Sequence, residues 1–308
     1  MLVLVETEFW PRTLVECRRA GIPVAVVNAR ISDRSWPRYR KLVRVWRPLL
    51  SKLAAVLAQT ELDAERLVAL GAAHVRVAGN LKYDVRAPES SLLTAMLRES
   101  IAPGIRVLVC GSTLGGEEEL LLDAVPPEVL MVLAPRHPER FGEVAEILRR
   151  RGKAWVRRSE WGSSPGKIEP GTVFLLDSIG ELASIYSLGQ AAFIGGSLVP
   201  AGGHNPLEAA QFAVPVAMGP SYENFRDIVE ALLRRDAIRI VQVGQLRGAL
   251  AEMLGGSAES RGIGARGREV FESEAGATER AVQALLELVA VAGKNPVEER
   301  RADREVRA

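Results

Sequence analysis

The stretch FIGGSLVPAGGHNPLEAAQ, residues 193–211, ends an apolar run in paired glycines, loops through two more and opens into Asn205, Pro206, Leu207 and Glu208. Glycine loses more backbone freedom on folding than other residues, so such a cluster marks a sharp bend or a close approach. Asn205 suits a helix N-cap, Pro206 the first helical position and Glu208 the carboxylate of a capping box. Those residues describe a well-capped helix packed close to a sheet. The same geometry also suits a nucleotide, because free N–H groups at a helix start hold phosphate and a nearby carboxylate accepts ribose hydroxyls. Glycines on both sides of the loop favour the nucleotide.

Other junctions repeat the design. VLMVLAPRHPERF places Pro135, Arg136 and His137 after an apolar run, and Arg136 could hold phosphate oxygens with two donors. A surface arginine opening a helix is the plainer account. LLDSIGELASIY sets Asp177 and Ser178 before Ile179, Gly180 and Glu181, where Asp177 or Ser178 would cap a helix. In CGSTLGGEEELLLDA, Gly111, Ser112 and Thr113 could meet a ligand or cap a helix rich in glutamate. Neither GxxxxGK[ST] nor GxGxxG occurs.

Near the start, Glu6 and Glu8 stand beside Phe9, Trp10 and Pro11. A carboxylate at an apolar, aromatic-flanked strand end is a candidate for a raised pKa and for acid/base or electrostatic work. A helix-capping role explains the same residues. Lys82 follows the run VAGN, where a cation would face a cleft or simply be solvated.

Between Arg30 and Lys52 the only acid is Asp33, among many arginines and lysines interleaved with Trp36, Tyr39 and Trp46. Such a face fits anionic lipid or a phosphorylated glycolipid, and a solvated basic helix fits it too. The chain as a whole carries a formal charge of only +2, and nothing else in it supports a nucleic-acid partner. Cys17 and Cys110 offer neither a disulfide framework nor metal spacing. His74, His137 and His204 lie far apart, so no metal is expected. No apolar run is long enough to span a bilayer, and a reducing cytoplasm is the default compartment.

Apolar β-rich runs at 2–6, 22–29, 54–59, 75–80, 106–112, 129–136, 153–158, 172–177, 190–197, 214–219 and 238–243 alternate with helical stretches, including a long one at 32–52. This pattern predicts βαβ units and parallel sheets covered on both faces. Eleven strands are too many for one ordinary open sheet, so two sheets are expected, with the seam at LKYDVRAPESS, residues 81–91. Two helices follow residue 255, and the charged end KNPVEERRADREVRA reads as a frayed or disordered tail. The first residues, MLVLVETEFWP, begin inside a strand, which leads to the expectation that a natural N-terminal portion is missing.

In order, ETEFWP, NARISDRS, GNLKYD, GST, APRHPERF, DSIGEL and FIGGSLVPAGGHNPLEAA, then PVAMGP and NF, resemble the 3-deoxy-D-manno-octulosonic acid (Kdo) transferases of lipopolysaccharide synthesis. The resemblance runs from residue 1 to about residue 240. It implies a GT-B glycosyltransferase, with two Rossmann-like parallel-sheet domains facing a cleft. These would be an incomplete acceptor-binding domain at 1–85, a nucleotide-sugar-binding domain at 86–275, and a C-terminal helix and charged tail at 276–308. It implies inverting transfer of Kdo from CMP-Kdo to the glucosamine disaccharide of a lipid A precursor, at the cytoplasmic face of the inner membrane, without a cofactor or obligatory metal. The anionic membrane would be met through the basic 30–52 segment.

By the same resemblance, Pro135, Arg136, Ile179, Gly180, Glu181, Asn205, Pro206, Leu207 and Glu208 would contact CMP, and Glu6 and Lys82 would stabilise the transition state. The family's general base is a glutamate in a GE motif upstream of where this chain starts, so the chain is expected to bind CMP but turn over poorly. Losing a general base removes about two to four orders of magnitude in rate. The competing readings are another GT-B transferase or epimerase using a UDP-sugar, and a non-catalytic nucleotide-binding or membrane-surface module.

Overall fold

The computed structural model describes residues 1–162 and 166–294. Its contacts divide the chain into two units, Met1–Val85 with the chain from Glu274 on, and Arg86–Ser273. All eleven expected strands form, in two wholly parallel sheets.

The first unit carries β1 (Leu2–Val5), β2 (Val24–Ala29), β3 (Ala55–Ala58) and β4 (Val75–Val77), paired in that order. The whole of β2 is buried, as a strand covered on both faces must be. Side chains alternate across a strand, so Val26 and Val27 enter different cores. Val26 and Val56 pack with Leu14, Leu50 and Leu67 from the helices Pro11–Arg19, Val43–Leu50 and Glu61–Ala69. Val27, Leu57 and Ala78 pack instead against Ala281, Ala284 and Leu285 of the helix Ala277–Lys294. The sequence reading set 276–308 apart from both domains; this helix in fact covers the second face of the first sheet. Asp84 seats its start, accepting the N–H groups of Gly276 and Thr278 at 2.5 Å each, while Arg280 Nε donates to Ala78 O at 2.7 Å. The charged tail expected after Lys294 lies outside the described residues.

The single helix expected over 32–52 is two, Trp36–Lys41 and Val43–Leu50, broken where Leu42 leaves helical geometry (φ −100°, ψ 21°). Trp36, Tyr39 and Trp46 are half-buried against the first core. Tyr39 and Trp46 lie 4.9 Å apart between ring centroids, Phe9 is 6.3 Å from each, and Arg66 sits 5.7 Å over Trp36. These aromatics therefore serve the core rather than an outward lipid-facing row. The outward face keeps Arg34, Arg38, Arg40, Lys41, Arg44 and Arg47, with Leu42 and Val45 exposed among them.

The second unit carries β5 (Val107–Thr113), β6 (Leu130–Pro135), β7 (Trp155–Arg157), β8 (Val173–Leu175), β9 (Ala191–Ile194), β10 (Val216–Met218) and β11 (Arg239–Ile240). Their order is β11-β10-β9-β5-β6-β8-β7. β6 flanks β5 on one side and β9 flanks it on the other, so the winding reverses between β5 and β9. Ligands of open parallel sheets sit at such a reversal, beyond the carboxyl ends of the strands. The core on one face joins Leu121 of the helix Glu117–Ala124 to Leu250 and Met253 of the helix Leu246–Leu254.

Candidate functional site

The ends of β5, β6 and β9 meet at the winding reversal. Ser112 turns the end of β5 through a positive φ of 57°. The Arg136 N–H, directly after β6, donates to Thr113 O at 3.0 Å, and the Gly195 N–H, directly after β9, donates to Gly111 O at 2.8 Å. Gly111 admits the fully buried Tyr186, since a Cβ there would lie 1.8 Å from its hydroxyl.

Pro135 is buried as the last residue of β6, and Arg136 is exposed. The Arg136 guanidinium makes no hydrogen bond or ion pair with any described residue, yet its charge reaches two groups across the corner. Burial raises the Glu208 carboxyl above its usual range, and Arg136 offsets only part of that rise. Burial also pushes His204 down to about 4, helped by the charges of Arg136 and His137. His204 is thus a neutral imidazole at neutral pH, and among the described residues its buried Nε2 finds no hydrogen-bond partner, nor does Thr113 Oγ1. Buried polar atoms nearly always find a partner, so two orphans in one corner are informative. The corner offers a cation, a carboxyl and two unsatisfied polar atoms.

Of the two accounts open for the glycines of 195–203, close packing is the one their surroundings show. A Cβ on Gly195 would lie 2.4 Å from Ser112 O, and one on Gly196 2.8 Å from His204 Cδ2. On Gly202 it would lie 2.4 Å from Asn224 Nδ2, and on Gly203 2.9 Å from Ser221 O. Each glycine answers a close approach inside the unit. Asn205 Oδ1 accepts the Leu207 N–H at 3.1 Å, but the helix is the single turn Leu207–Ala210 and Pro206, not Asn205, stands at its cap position. One turn sums few peptide dipoles, and the cation whose charge reaches Glu208 and His204 in this corner is Arg136.

The turn after β8 is also rearranged. Asp177 caps nothing; it accepts from Arg157 Nε at 2.6 Å, Ser159 N at 2.8 Å and Ser159 Oγ at 2.6 Å. Burial opposes this carboxylate, but those bonds hold its pKa below the ordinary value. Glu181 is held by the fork of Arg158, 3.1 Å from both Nε and Nη2, and by the Ser178 hydroxyl. Ile179 is exposed and Gly180 has a φ of +89° with open space beside it, so their backbone is the accessible part of this turn.

In the first unit, Lys82 Nζ lies 3.3 Å from Glu6 Oε1, and Glu8 Oε2 accepts the Trp10 Nε1–H at 2.8 Å. Glu6, just beyond β1, has a φ of 59°. A buried amide network ties the other strand ends to this pair. Gln59 Nε2 donates to Asn28 O at 3.0 Å and Asn80 Nδ2 to Gln59 Oε1 at 3.1 Å. Asn28 Oδ1 then accepts the Leu81 N–H at 3.1 Å, and Asn80 Oδ1 the Lys82 N–H at 3.0 Å. The polar ends of the apolar runs VVNA, LAQ and AGN were the available signal for these three residues. Among the described residues no group of three or more His, Cys, Asp or Glu side chains could hold a metal, and no helix is long and apolar enough to cross a membrane.

Comparison with known proteins places this arrangement. The family model for 3-deoxy-D-manno-octulosonic-acid transferase (kdotransferase) matches residues 1–85. The 3-deoxy-D-manno-octulosonic acid transferase of Haemophilus influenzae is 34% identical over 298 residues, covering 92% of this chain and 69% of that protein. The chain belongs to the Kdo transferase family. Its two Rossmann-like units are of the GT-B class found in glycosyltransferases. A bifunctional glycosyltransferase/methyltransferase of Fusobacterium nucleatum is 37% identical over 243 residues, covering 76% of this chain but 38% of that protein. The chain thus spans well under half of that relative and about two thirds of the Haemophilus one. The C-terminal CMP-Kdo binding domain of WaaA from Acinetobacter baumannii superposes with a TM-score of 0.53 at 33% identity, covering 58% of this chain and 95% of that domain.

Within this member of the Kdo transferase family, sequence reasoning did not single out His204, Glu117, Asn28, Gln59 or Asn80 as site residues. His204 sits in the quoted GGHNP run, and its signal was its place one residue before the cap.

Proposed function

We propose that this chain acts in the transfer of Kdo from CMP-Kdo to the glucosamine disaccharide of a lipid A precursor, with inversion at the anomeric centre. One observation carries the donor assignment: an Arg136 guanidinium unpartnered among the described residues, the part-buried Glu208 carboxyl and the unsatisfied His204 Nε2 share one corner at the winding reversal. The likeness to a CMP-Kdo binding domain supports the choice of nucleotide. CMP would lie along Pro135 and Arg136, the turn Ile179-Gly180-Glu181 and Asn205-Pro206-Leu207-Glu208, with Arg136 on the phosphate and the Glu208 carboxyl within reach of ribose hydroxyls.

As the sugar–phosphate bond breaks, negative charge grows on CMP, and a fixed guanidinium aimed there lowers the barrier. Glu6 and Lys82 stabilise charge at the sugar, where the donor carries a carboxylate. Neither is read as the general base. The reaction calls for no cofactor and no metal. The acceptor is a lipid, and the basic face of 30–52, with Leu42 and Val45 exposed among its arginines, meets the anionic cytoplasmic surface of the inner membrane.

The test is calorimetric titration of the folded chain with CMP and with UDP, each with and without a chelator. CMP binding that is tighter than UDP binding and indifferent to the chelator is expected. No CMP binding, or a preference for UDP, overturns the donor assignment.

A further inference from the structure

Glu117 is fully buried, and none of the ion pairs among the described residues includes it, although it opens the helix Glu117–Ala124 beside two other glutamates. Its carboxylate is met by backbone alone. Oε2 accepts the N–H groups of Leu114 at 2.9 Å and Gly196 at 2.7 Å, and Oε1 those of Ser197 at 2.9 Å and Leu198 at 2.8 Å. Successive N–H groups converging on one point form a nest of the kind that binds anions. Here the chain supplies the anion itself.

The consequence reaches the donor corner. Gly196 O accepts the Gly203 N–H at 2.8 Å, and the His204 ring lies against Gly196 closely enough to exclude a Cβ. Ser197 passes the constraint on, its Oγ accepting the Gly219 N–H at 2.8 Å and its O the Ser221 N–H at 3.0 Å. The segment leading into Asn205 and the segment that follows β10 thus both take their position from the loop that Glu117 holds.

We propose that Glu117 is the positioning residue of the donor site, a built-in anion that sets the backbone of Gly196–Leu198 and, through it, His204 and the Asn205–Glu208 turn. The proposal rests on the donor-site reading for its link to CMP; the nest itself does not. A glutamine in the same place would turn an NH2 group toward N–H donors, so charge and acceptor count matter as well as shape.

The experiment compares the wild-type chain with Glu117→Gln and Glu117→Ala, by calorimetric CMP affinity, thermal unfolding and the amide shifts of Gly196, Ser197 and Leu198. Each is measured in sodium chloride and in sodium formate or acetate at equal ionic strength. Both variants are expected to lose about tenfold or more in CMP affinity, the scale of hydrogen bonds to a charged group. In Glu117→Ala, formate or acetate is expected to raise the unfolding midpoint, move the three amide shifts and restore most of the lost affinity, with no such effect on wild type.

A merely structural glutamate would lower the midpoint and leave the affinity of the folded fraction unchanged; that result, or a Glu117→Ala midpoint and shifts indifferent to carboxylate, overturns the proposal. If Glu117→Ala folds only in formate or acetate, the built-in anion is supported. If it folds in neither, Glu117→Gln decides, and wild-type affinity there overturns the proposal. Failure of the wild-type chain to bind CMP would sink the donor reading alone, since the carboxylate-specific midpoint still reports on the nest.

Discussion

Asn28 Oδ1 accepts the backbone N–H of Leu81 at 3.1 Å, joining the end of β2 to the turn that carries Lys82. Asn28 holds a positive φ of 54°, which asparagine tolerates better than other non-glycine residues. Asn28→Ala should destabilise the first unit by about 1–3 kcal/mol, the cost of leaving buried partners unsatisfied. Urea unfolding checks this. Amide exchange at Leu81 should speed up in the variant, and unchanged exchange there would show that the amide network does not hold this turn.

Lys82 and Glu6 are both partly exposed, so their ion pair contributes only about 0–1 kcal/mol to stability. Lys82→Ala and Glu6→Gln should therefore leave the unfolding midpoint nearly unchanged. On the transition-state reading, each should lower Kdo transfer by about 100-fold or more, the scale seen when a charge-stabilising group is lost. A transfer assay with CMP-Kdo reads this, and wild-type rates in both variants would remove the pair from the chemistry.

Arg136→Met should separate binding from stability in the second unit. The guanidinium has no partner among the described residues, so stability should stay within about 0.5 kcal/mol. CMP affinity should fall about 10- to 100-fold, as expected for a charge-assisted contact to phosphate. Paired denaturation and titration curves decide it.

Arg140 forks onto the fully buried Glu118, with Nη1–Oε1 at 2.6 Å and Nη2–Oε2 at 3.2 Å. Arg140→Met strands a buried charge and should cost about 3–5 kcal/mol. Adding Glu118→Leu should recover much of that loss, because the uncompensated carboxylate is then gone. Chemical denaturation of the single and double variants measures the difference, and additive losses would contradict this account.

His204 has a folded pKa of about 4 against an ordinary 6.5, owing first to burial and then to Arg136 and His137. The folded value is the lower one, so the unfolded chain binds more protons in the interval. Stability from this group is present above the ordinary value and declines as the pH falls through the window. The slope is at most about 1.4 kcal/mol per pH unit, and less for a ring only partly buried. Burial raises Glu208, which works with the opposite sign: its stabilisation is present in acid and is lost as the pH rises through the raised value. His204→Gln should flatten the acid-side decline between pH 7 and pH 5 in urea titrations; an unchanged slope would assign the decline elsewhere.

Much of this molecule was legible in local sequence. Strand and helix alternate because apolar runs and helical stripes are patterns of neighbouring residues, and the eleven strands follow from them. Pro135, Arg136, Asn205 and Glu208 could be singled out because strand exits are where parallel sheets bind ligands. The break at Leu42, the inward aromatics and the docking of Ala277–Lys294 on the first sheet were not legible, since each depends on packing partners distant in the chain.

The run Glu117-Glu118-Glu119 shows the limit most clearly. In sequence these are three equivalent first-turn glutamates, acceptable beside the positive end of a helix. Tertiary structure gives them three fates. Glu117 enters a nest of backbone N–H groups, Glu118 is buried on Arg140, and Glu119 stays outside near Arg151. The chain alone determined that carboxylates stand there, and the helical turn sends successive side chains in different directions. Three of the four donors that meet Glu117 come from a loop about eighty residues away, and hydrogen bonds between distant segments exist only once the core of that unit has closed.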